Sequence, residues 1–394
     1  MIYRHLSPSI KKAATNYPVV AVTGPRQSGK TTLCRELFPD YTYVNLEKLD
    51  TRDFAKSDPN AFLERYHGKV ILDEAQRAPE LFSYIMPLVD EHKTKGEFIL
   101  TGSQNFHLME SISQSLAGRC ATFKLLPFST REILGAENFD ISKIRTAKNI
   151  EPGGLSCYHQ IFKGGYPPLY DGNVDPTEWL GNYTRTYLDR DVRTLINVGD
   201  LDTFERFLRL CAGRTGQILD MSSLANDVGI SVPSVKRWLS LLVASYTVFL
   251  LNPHQKNFNK RLIKSPKLYF YDTGLVCYLL GIKSPDELEF HSLRGNIFET
   301  HVISELFKTT LNAGRESSLY FWRDSLGHEV DVILEDAEKL FPIEIKSAQT
   351  ISGSMFDGLA YWSSLNKTND AMLIYGGNDF YTRNGAAVRP WFFV

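Results

Sequence analysis

The sequence of 394 residues predicts an α/β protein of several domains, because the chain is longer than one ordinary hydrophobic core requires. Two observations predict this class near the N-terminus. An apolar, β-branched run at 19–23 leads into a glycine-rich loop and a helical segment, and a second apolar run at 70–72 ends in two acidic residues. A third observation is the alternation of apolar and charged residues at 329–346, which predicts a second sheet.

The first glycine-rich loop has a specific spacing. Residues 19–32 read VVAVTGPRQSGKTT, which is GxxxxGK[ST] between a strand and a helix and predicts a phosphate-binding loop (P-loop). Glycines allow the backbone N–H groups to point toward a phosphate, and the helix N-terminus adds positive potential. We expect Lys30 to reach the β- and γ-phosphates of ATP and Thr31 to bind Mg²⁺. The candidate nucleotide-binding residues here are Gly24, Pro25, Arg26, Gln27, Ser28, Gly29, Lys30, Thr31 and Thr32.

The second apolar run, KVILDE at 69–74, predicts a buried parallel strand that ends in a catalytic pair. Such sheets bind ligands at the carboxyl ends of their strands. Asp73 would hold Mg²⁺, and Glu74 would act as the general base toward the attacking water. A further strand, YTYVNLE at 41–47, lies between the two motifs. Together with Glu74, it indicates an additional-strand P-loop ATPase core rather than a kinase-like or GTPase-like one.

Two further residues follow in this part of the chain. FILTGSQ at 98–104 predicts a strand whose end carries Ser103 and Gln104, which either sense the γ-phosphate or form a plain turn. SLAGR then places Arg119 just before the next strand. An arginine at this place in AAA+ proteins often reaches the nucleotide of a neighbouring subunit, which would make the protein a homo-oligomer such as a ring. The alternative is a surface arginine that caps a helix.

The middle of the sequence predicts a helical lid or linker and then a winged-helix domain. In the stretch 219–243 a short helix ends at Gly229, Ser231 can cap the next helix, and Pro233 suits its first turn. This is helix-turn-helix spacing, and a predicted hairpin follows it. We expect the basic residues of the hairpin to contact DNA phosphates, although a winged helix that contacts protein is the alternative. These residues are Lys256, Lys260, Arg261, Lys264 and Lys267.

The C-terminal segment predicts a nuclease-like fold. Glu299 lies on a predicted helix, Asp331 on the second of two strands joined near Gly327, and Glu344 and Lys346 on the strand KLFPIEIK. The order helix-Glu, strand-Asp, Glu-x-Lys is the pattern of PD-(D/E)xK, restriction-endonuclease-like domains. The prediction is therefore a third α/β domain.

This pattern also predicts a second Mg²⁺ site. Asp331 and Glu344 would bind the ion, since two carboxylates about 4 Å apart repel each other by roughly 4 kcal/mol. The carbonyl of Ile345 would add a ligand, Lys346 would orient water or stabilise phosphate charge, and Glu299 would hold an outer water. The alternative is a surface salt bridge worth at most about 1 kcal/mol. Cleavage itself is left open, because this fold also serves as a non-cutting nucleic-acid platform.

The assembled chain resembles, over nearly its full length, a bacterial and archaeal family of AAA-type ATPases with a C-terminal domain of unknown function. The resemblance is carried by GPRQSGKTT, VILDEAQ, LTGSQ, SLAGR, GGYP, YLDRDV, DTGL, FE at 298–299, EVD and IEIKS. It implies ATP and Mg²⁺ binding at Lys30, Thr31, Asp73 and Glu74. The expected domains are an AAA-type P-loop ATPase at 1–135, a helical lid or linker at 136–200, a winged helix at 201–287 and a PD-(D/E)xK-like domain at 288–394.

Composition limits the function classes. The net charge of −1 means that any DNA binding has to come from local patches. Five scattered cysteines argue against a zinc site or a disulfide scaffold, and the N-terminus lacks a signal-peptide pattern, so we expect a cytoplasmic protein without membrane spans. The predicted function is an ATP-hydrolysing oligomer that acts on DNA, with a Mg²⁺-dependent nuclease domain. The alternatives are a non-cutting remodeller of branched DNA and an ATP-dependent signalling switch.

Overall fold

A computed structural model of the chain describes residues 2–103, 112, 115–187, 201–254, 263–336, 339–367 and 370–394. The chain divides into two compact units, each with its own buried apolar clusters. The first unit comprises Met1–Phe128, Ala244–Tyr246 and Leu311–Arg315. The second unit comprises Ser129–Val243, Thr247–Thr310 and Glu316–Val394. Within the described ranges, every helix is too short or too polar to serve as a membrane span.

The first unit contains a parallel five-stranded sheet with the order β2-β3-β4-β1-β5. Its strands are β1 Val19–Thr23, β2 Thr42–Asn45, β3 Val70–Asp73, β4 Phe98–Gly102 and β5 Cys120–Lys124. Its helices are α1 Ser7–Asn16, α2 Lys30–Leu37, α3 Leu49–Ser57, α4 Pro59–Arg65 and α5 Leu81–His92. The sheet is fully buried at β1, β3 and β4, which explains the near-continuous apolar runs of these strands.

The order of the strands refines the expected additional-strand core. β4 is the strand that lies between β1 and β3 in space, because it pairs with both of them. β2, the segment on which the expectation was based, forms an edge of the sheet beside β3. The α/β class and the parallel sheet are therefore confirmed, and the strand inserted between the P-loop strand and the Asp73 strand comes later in the chain.

Two short segments from distant parts of the chain complete the first unit. Tyr246 is only 3% exposed, and its hydroxyl and that of Thr23 form a hydrogen bond of 2.6 Å. Thr23 is the last residue of β1, directly before Gly24 of the P-loop. The end of the P-loop strand is therefore in contact with a residue that lies more than two hundred positions later.

The second unit begins with helices and a small antiparallel sheet in the order β6-β8-β7. The helices that precede and surround this sheet are α6 Thr130–Ile133, α7 Cys157–Lys163, α8 Pro176–Tyr187, α9 Leu201–Gly213, α10 Met221–Val228, α11 Val232–Ala244, α12 Thr273–Leu280 and α13 Pro285–Phe290. The strands are β6 Gln217–Ile218, β7 Val248–Leu251 and β8 Lys267–Phe270. α10 ends at Gly229, which has a left-handed φ of 80°, as its sequence position predicts.

The second unit also contains a mixed six-stranded sheet in the order β13-β14-β12-β11-β10-β9. β9, β10 and β11 are antiparallel neighbours, whereas β11, β12 and β14 run parallel. The elements are α14 Arg294–Asn312, β9 Leu319–Arg323, β10 Glu329–Asp336, β11 Lys339–Lys346, α15 Asp357–Asn366, β12 Met372–Tyr375, β13 Tyr381–Arg383 and β14 Ala386–Pro390. Phe298, Val302 and Leu306 form a fully buried face of α14, as their four-residue spacing predicts.

Candidate functional site

The P-loop is shaped by a close approach between two backbone segments. Gly24 has a φ of +151°, and a Cβ atom there would lie 2.1 Å from the carbonyl oxygen of Leu125. Only glycine fits this position without displacing the backbone. Gly29 is also left-handed, with a φ of 89°, and begins helix α2. In the same loop Ser28 is fully buried, while Gln27 is exposed.

Lys30 is directed back across this loop. Its Nζ donates hydrogen bonds to the carbonyl oxygens of Gly24 at 3.0 Å and Pro25 at 2.8 Å. Burial lowers the pKa of Lys30 to about 8, although the nearby Glu74 carboxylate acts in the opposite direction. The ammonium therefore lies in the concave part of the loop, where it can bind an anion.

Asp73, at the end of β3, is surrounded by three hydroxyl groups. Its Oδ1 accepts hydrogen bonds from Thr31 at 2.8 Å and from Thr101, and its Oδ2 accepts one from Tyr43 at 2.7 Å. The contact between Thr31 and Asp73 brings together the two oxygen ligands that the sequence predicts for Mg²⁺. Burial and the Asp73 carboxylate raise the pKa of Tyr43, so this phenol is a hydrogen-bond donor at neutral pH.

Glu74 has a strained backbone. Its φ of 55° and ψ of 44° are in the left-handed region, which costs a residue other than glycine on the order of 1–3 kcal/mol. Its Oε2 accepts hydrogen bonds from Gln76 Nε2 at 2.5 Å and from Ser103 Oγ at 3.0 Å. Strain of this kind is concentrated at functional sites, so the geometry supports Glu74 as the catalytic carboxylate.

The remaining predicted residues of the first unit have different surroundings. Ser103 contacts the Glu74 carboxylate, so its direct partner in the structure is the candidate base. Gln104 lies outside the described residues. Arg119 is on the surface and forms a bidentate pair with Asp90, with distances of 2.6 and 2.7 Å.

Sequence reasoning missed three residues that support this site. Thr101 and Tyr43 hold Asp73, and they lie on the neighbouring strands β4 and β2. Arg4 is buried, and its guanidinium donates to the carbonyls of Ser28 at 3.0 Å and Leu126 at 2.6 Å. The position of Thr101 at the C-terminal end of a buried strand is a signal that could have identified it. Arg4 has no such signal, because it precedes the motif by twenty residues.

The second candidate site lies on β10 and β11, where Asp331, Glu344 and Lys346 come together. Asp331 Oδ2 accepts a hydrogen bond of 2.8 Å from the backbone N–H of Ile345 and lies 3.9 Å from Lys346 Nζ. The Lys346 ammonium also forms an ion pair with Glu344 Oε1. The backbone N–H of Ile345 thus holds the Asp331 carboxylate in place. The sequence predicts only a ligand role for the carbonyl of Ile345.

Both glutamates of this second site are shifted toward the protonated form. Burial, followed by the nearby Asp331 carboxylate, raises the pKa of Glu344 to about 8. Burial also raises the pKa of Glu299 to about 7, although Lys267 opposes the shift. Glu344 Oε2 is buried and has no hydrogen-bond partner among the residues that the structure describes. An unpaired carboxylate oxygen beside a second carboxylate is a suitable donor set for a hard divalent cation.

Lys267 corrects one expectation from the sequence. It was assigned to the exposed basic hairpin, but it is only 4% exposed and its Nζ forms ion pairs with Glu299 at 2.9 Å and with Glu329. It therefore cannot contact DNA as a surface residue. Lys264 is exposed as expected. The other basic residues of the hairpin, Lys256, Lys260 and Arg261, lie outside the described residues.

The carboxylates of the second site are already paired with cations. Across the described ranges, no group of three or more His, Cys, Asp or Glu side chains is arranged to hold a metal ion. Asp331 and Glu344 supply carboxylate oxygens, whereas Glu299 is bonded to Lys267 and to the Tyr269 hydroxyl, the latter at 2.5 Å. Two carboxylates are enough for one cation, so Asp331 and Glu344 would hold it together with water.

Two glycine-containing motifs of the sequence have a structural role. The Asp272 carboxylate caps α12 through the N–H of Leu275 at 3.0 Å and accepts the N–H of Gly165 at 2.7 Å. A Cβ atom on Gly274 would lie 2.7 Å from the carbonyl oxygen of Lys163. GGYP and DTGL therefore join two segments of the second unit by close backbone packing.

Comparison with protein families assigns a domain to the part of the chain that contains the first site. Residues 16–134 match the family model described as an AAA domain. Residues 156–286 and 294–392 match two models described as domains of unknown function, DUF8612 and DUF4143. The AAA match includes the P-loop, Asp73 and Glu74, which are the residues that the geometry brings together.

The full chain has relatives in other organisms. It is 31% identical over 363 residues to the uncharacterized protein Rv2008c of Mycobacterium tuberculosis, covering 90% of this chain and 77% of the relative. The chain belongs to the family of Rv2008c and carries the AAA-type P-loop ATPase domain. An uncharacterized protein of Methanocaldococcus jannaschii, MJ1544, is 24% identical, with 80% of this chain and 72% of the relative covered.

Solved structures show only weak overall similarity to this AAA-type protein. The Walker-type ATPase PABY2304 of Pyrococcus abyssi has a TM-score of 0.43 and 16% identity, over 71% of this chain and 96% of the other. RuvB of Thermotoga maritima has a TM-score of 0.30 and 16% identity, over 62% and 86%.

Proposed function

We propose that the protein hydrolyses ATP in its first unit and uses the second unit to act on DNA. The observation that carries the ATPase half is the position of Glu74, which is strained, hydrogen-bonded and directly adjacent to the Asp73 cluster at the P-loop. The domain limits proposed from the sequence, at 135, 200 and 287, remain part of this proposal.

Each residue of the candidate site in the first unit has a separate proposed role in ATP hydrolysis. Lys30 and the loop N–H groups would bind the phosphates, and Thr31 and Asp73 would hold Mg²⁺. Bound Mg²⁺ would neutralise charge on the β- and γ-phosphates. Glu74 would accept the proton of the attacking water, and Ser103 and Gln76 would orient its carboxylate through Oε2.

The test of hydrolysis compares three variants. Lys30→Ala should abolish ATP binding, whereas Glu74→Gln should retain binding and reduce turnover at least a hundredfold, the lower range for loss of a general base. Glu80→Gln is the control, because Glu80 is an exposed carboxylate that directly precedes α5 in the same unit. ATP turnover by Glu74→Gln at the wild-type rate would contradict the proposed role.

Arg119 supports a proposed homo-oligomer. Its guanidinium is bound only to exposed partners, namely Asp90 and the carbonyl of Ala117, among the contacts described for it. We propose that it exchanges Asp90 for the nucleotide of a neighbouring subunit. We expect Lys30→Ala and Arg119→Ala each to be inactive alone. In a mixed oligomer, a Lys30→Ala subunit would supply Arg119 to the nucleotide bound by an Arg119→Ala neighbour. Mixing the two variants should therefore restore part of the ATP turnover.

The DNA half of the proposal depends on the three-stranded region of the second unit. We propose that this region is a winged helix, and the element order α9, β6, α10, α11, β7, β8 with its antiparallel sheet supports the proposal. Lys236 and Arg237 are exposed on α11, the second helix of the helix-turn-helix. These two cations would contact phosphates in a salt-dependent manner.

Salt titration tests this surface. If Lys236 and Arg237 each contact one phosphate, Lys236→Ala/Arg237→Ala should reduce the slope of log affinity against log salt concentration by about 2. Lys11→Ala is the control, because Lys11 is exposed on α1. An unchanged slope, or no salt-dependent DNA binding by the wild type, would leave the signalling switch as the better explanation.

We further propose that the C-terminal domain has the PD-(D/E)xK fold, with Asp331 and Glu344 holding Mg²⁺ and Lys346 acting on the water or the scissile phosphate. Support comes from the order α14, β9, β10, β11, α15, β12 and from the contacts among the three residues. Bound Mg²⁺ would activate water and stabilise phosphate charge. The test is Mg²⁺-dependent nicking of linear, single-stranded and four-way DNA, with Asp331→Ala as the inactive variant.

A non-cutting DNA platform is the second candidate, and the surroundings of Glu299 favour it. Lys267 and Tyr269 both donate to Oε1 of Glu299, which leaves this oxygen less available for a metal-bound water. In that case, strand displacement or junction migration would survive Lys346→Ala and be lost in Glu74→Gln. Nicking by the wild type would rule this candidate out.

A further inference from the structure

The cluster around Lys267 extends the C-terminal site beyond its sequence pattern. The Lys267 ammonium is bonded to one carboxylate from α14, Glu299, and to one from β10, Glu329. Lys267 itself comes from β8, a strand of the three-stranded sheet. Lys267 therefore comes from outside the helix-strand-strand pattern of the C-terminal site, but its side chain is bound between two acidic residues of that pattern.

This burial is possible only because the charge is compensated. A lone ammonium that is 4% exposed would be strongly destabilised, whereas one that bridges two carboxylates has its charge compensated. The second oxygen of Glu329 accepts from Arg323 Nη1 at 3.0 Å. Tyr269, two residues along the same face of β8, donates to Glu299 at 2.5 Å. Lys267 and Tyr269 thus fix Glu299 from one strand.

The charges in this cluster limit how many metal ions can enter. Counting only the residues that the structure describes, and with every group ionised, four carboxylates face three cationic side chains, which leaves one net negative charge. Within the described part of this cluster, the buried Oε2 of Glu344 is a carboxylate oxygen without a hydrogen-bond partner, and Glu344 lies beside Asp331. A divalent cation has an available ligand there, whereas a second ion between Glu299 and Glu329 would have to displace the Lys267 ammonium.

We propose that Lys267 is a positioning residue that acts as the built-in cation of the C-terminal site, holding Glu299 and Glu329 together and restricting the site to one divalent cation. This inference rests on the proposed metal site at Asp331 and Glu344. A bridging ammonium in place of a second ion distinguishes the site from one that binds two metals. Lys267 is the first residue of β8, which directly follows the hairpin loop in the sequence. It therefore links the end of that loop to Glu299.

The test counts bound Mn²⁺ and does not depend on cleavage. Mn²⁺ prefers the same oxygen ligands as Mg²⁺ and is measured by calorimetry and electron paramagnetic resonance, without nucleotide. Only ions lost on Asp331→Asn or on Glu299→Gln in the same background are counted, since the first substitution removes a ligand of the Asp331 and Glu344 site and the second removes a ligand of the position that Lys267 occupies. We expect one such ion in wild type and in Lys264→Met, the exposed control, and two in Lys267→Met.

Two further variants keep the test decisive if Lys267→Met folds poorly. Lys267→Arg retains the cation and should bind one ion, while Lys267→Gln removes the charge, retains a donor and should bind two. Folding is checked by tryptophan fluorescence. A larger rise in Tm on adding Mn²⁺ to Lys267→Gln than to wild type is the independent readout, and a merely structural ion pair would not produce it.

The outcomes separate this inference from the proposed function. One ion in wild type and one of equal affinity in Lys267→Gln would overturn the role of Lys267 and leave the metal site intact. No ion in wild type but one in Lys267→Gln would support Lys267 as the resident cation and contradict the metal site at Asp331 and Glu344. No ion in any variant would overturn both.

Discussion

A buried ion pair on α14 gives a prediction whose size can be worked out from the structure. Glu305 and Lys308 are one turn apart and at most 4% exposed, with Glu305 Oε1 and Lys308 Nζ separated by 2.8 Å. The other oxygen of Glu305 accepts the backbone N–H of Thr130 at 2.6 Å. We predict that Lys308→Met strongly destabilises the second unit, because it leaves a buried carboxylate without its cation.

The magnitude follows from the charge that remains. At 2.8 Å and an effective dielectric constant of about 20, the direct attraction is about 6 kcal/mol, and desolvation of the pair offsets part of it. Removing one partner of such a pair typically costs 3–5 kcal/mol, so we expect a loss of about 4 kcal/mol. Lys308→Met/Glu305→Gln should lose roughly 1–2 kcal/mol, because the neutral amide can still accept from Thr130.

Tryptophan fluorescence is the assay, since it reports only on the second unit. All five tryptophans belong to that unit, namely Trp179, Trp238, Trp322, Trp362 and Trp391. Urea unfolding of wild type and the two variants gives the free energies. A double variant that is less stable than Lys308→Met would refute the reasoning, because removing the uncompensated charge of Glu305 should raise the free energy of unfolding.

Three other predictions concern the candidate sites. Gly24→Ala should weaken ATP binding at least tenfold, whereas Gly68→Ala, also left-handed but with open space around it, should retain it in the same titration. The pKa of Glu344 is raised from 4.5 to about 8, so the folded state binds this proton more tightly than the unfolded state does. Without metal, the free energy of unfolding should therefore fall as the pH rises through that range, and it should fall less steeply in Glu344→Gln. Arg119→Ala should change the unfolding free energy of the first unit by less than about 1 kcal/mol, measured by circular dichroism, because its ion pair is exposed.

The parts of the fold that could be predicted from the sequence depend on local patterns. GxxxxGK[ST] placed Lys30 and Thr31 correctly at the start of a helix, since the strand, the glycines and the helix are consecutive. The four-residue apolar spacing of α14 and the break at Gly327 were equally local signals. The proximity of Asp331 and Lys346 was predictable because the order of the residues resembles the PD-(D/E)xK pattern.

The unpredicted residues come from parts of the chain that no spacing connects. Tyr43 reaches Asp73 from a neighbouring strand, and Arg4 reaches the P-loop from before the motif. Lys267 looked like a member of a basic surface segment, because the carboxylates that neutralise it follow more than thirty residues later. Composition shows the charge of a residue but not the partners that burial provides.

The first unit is made of segments that are far apart in the sequence, and this has a consequence for its biosynthesis. Residues 1–128 are translated first, but the hydroxyl that meets Thr23 belongs to Tyr246, and the last segment of the unit ends at Arg315. N-terminal domains commonly fold as they leave the ribosome. Here the nucleotide-binding unit cannot form all of its contacts until its last segment, which ends at Arg315, has been synthesised.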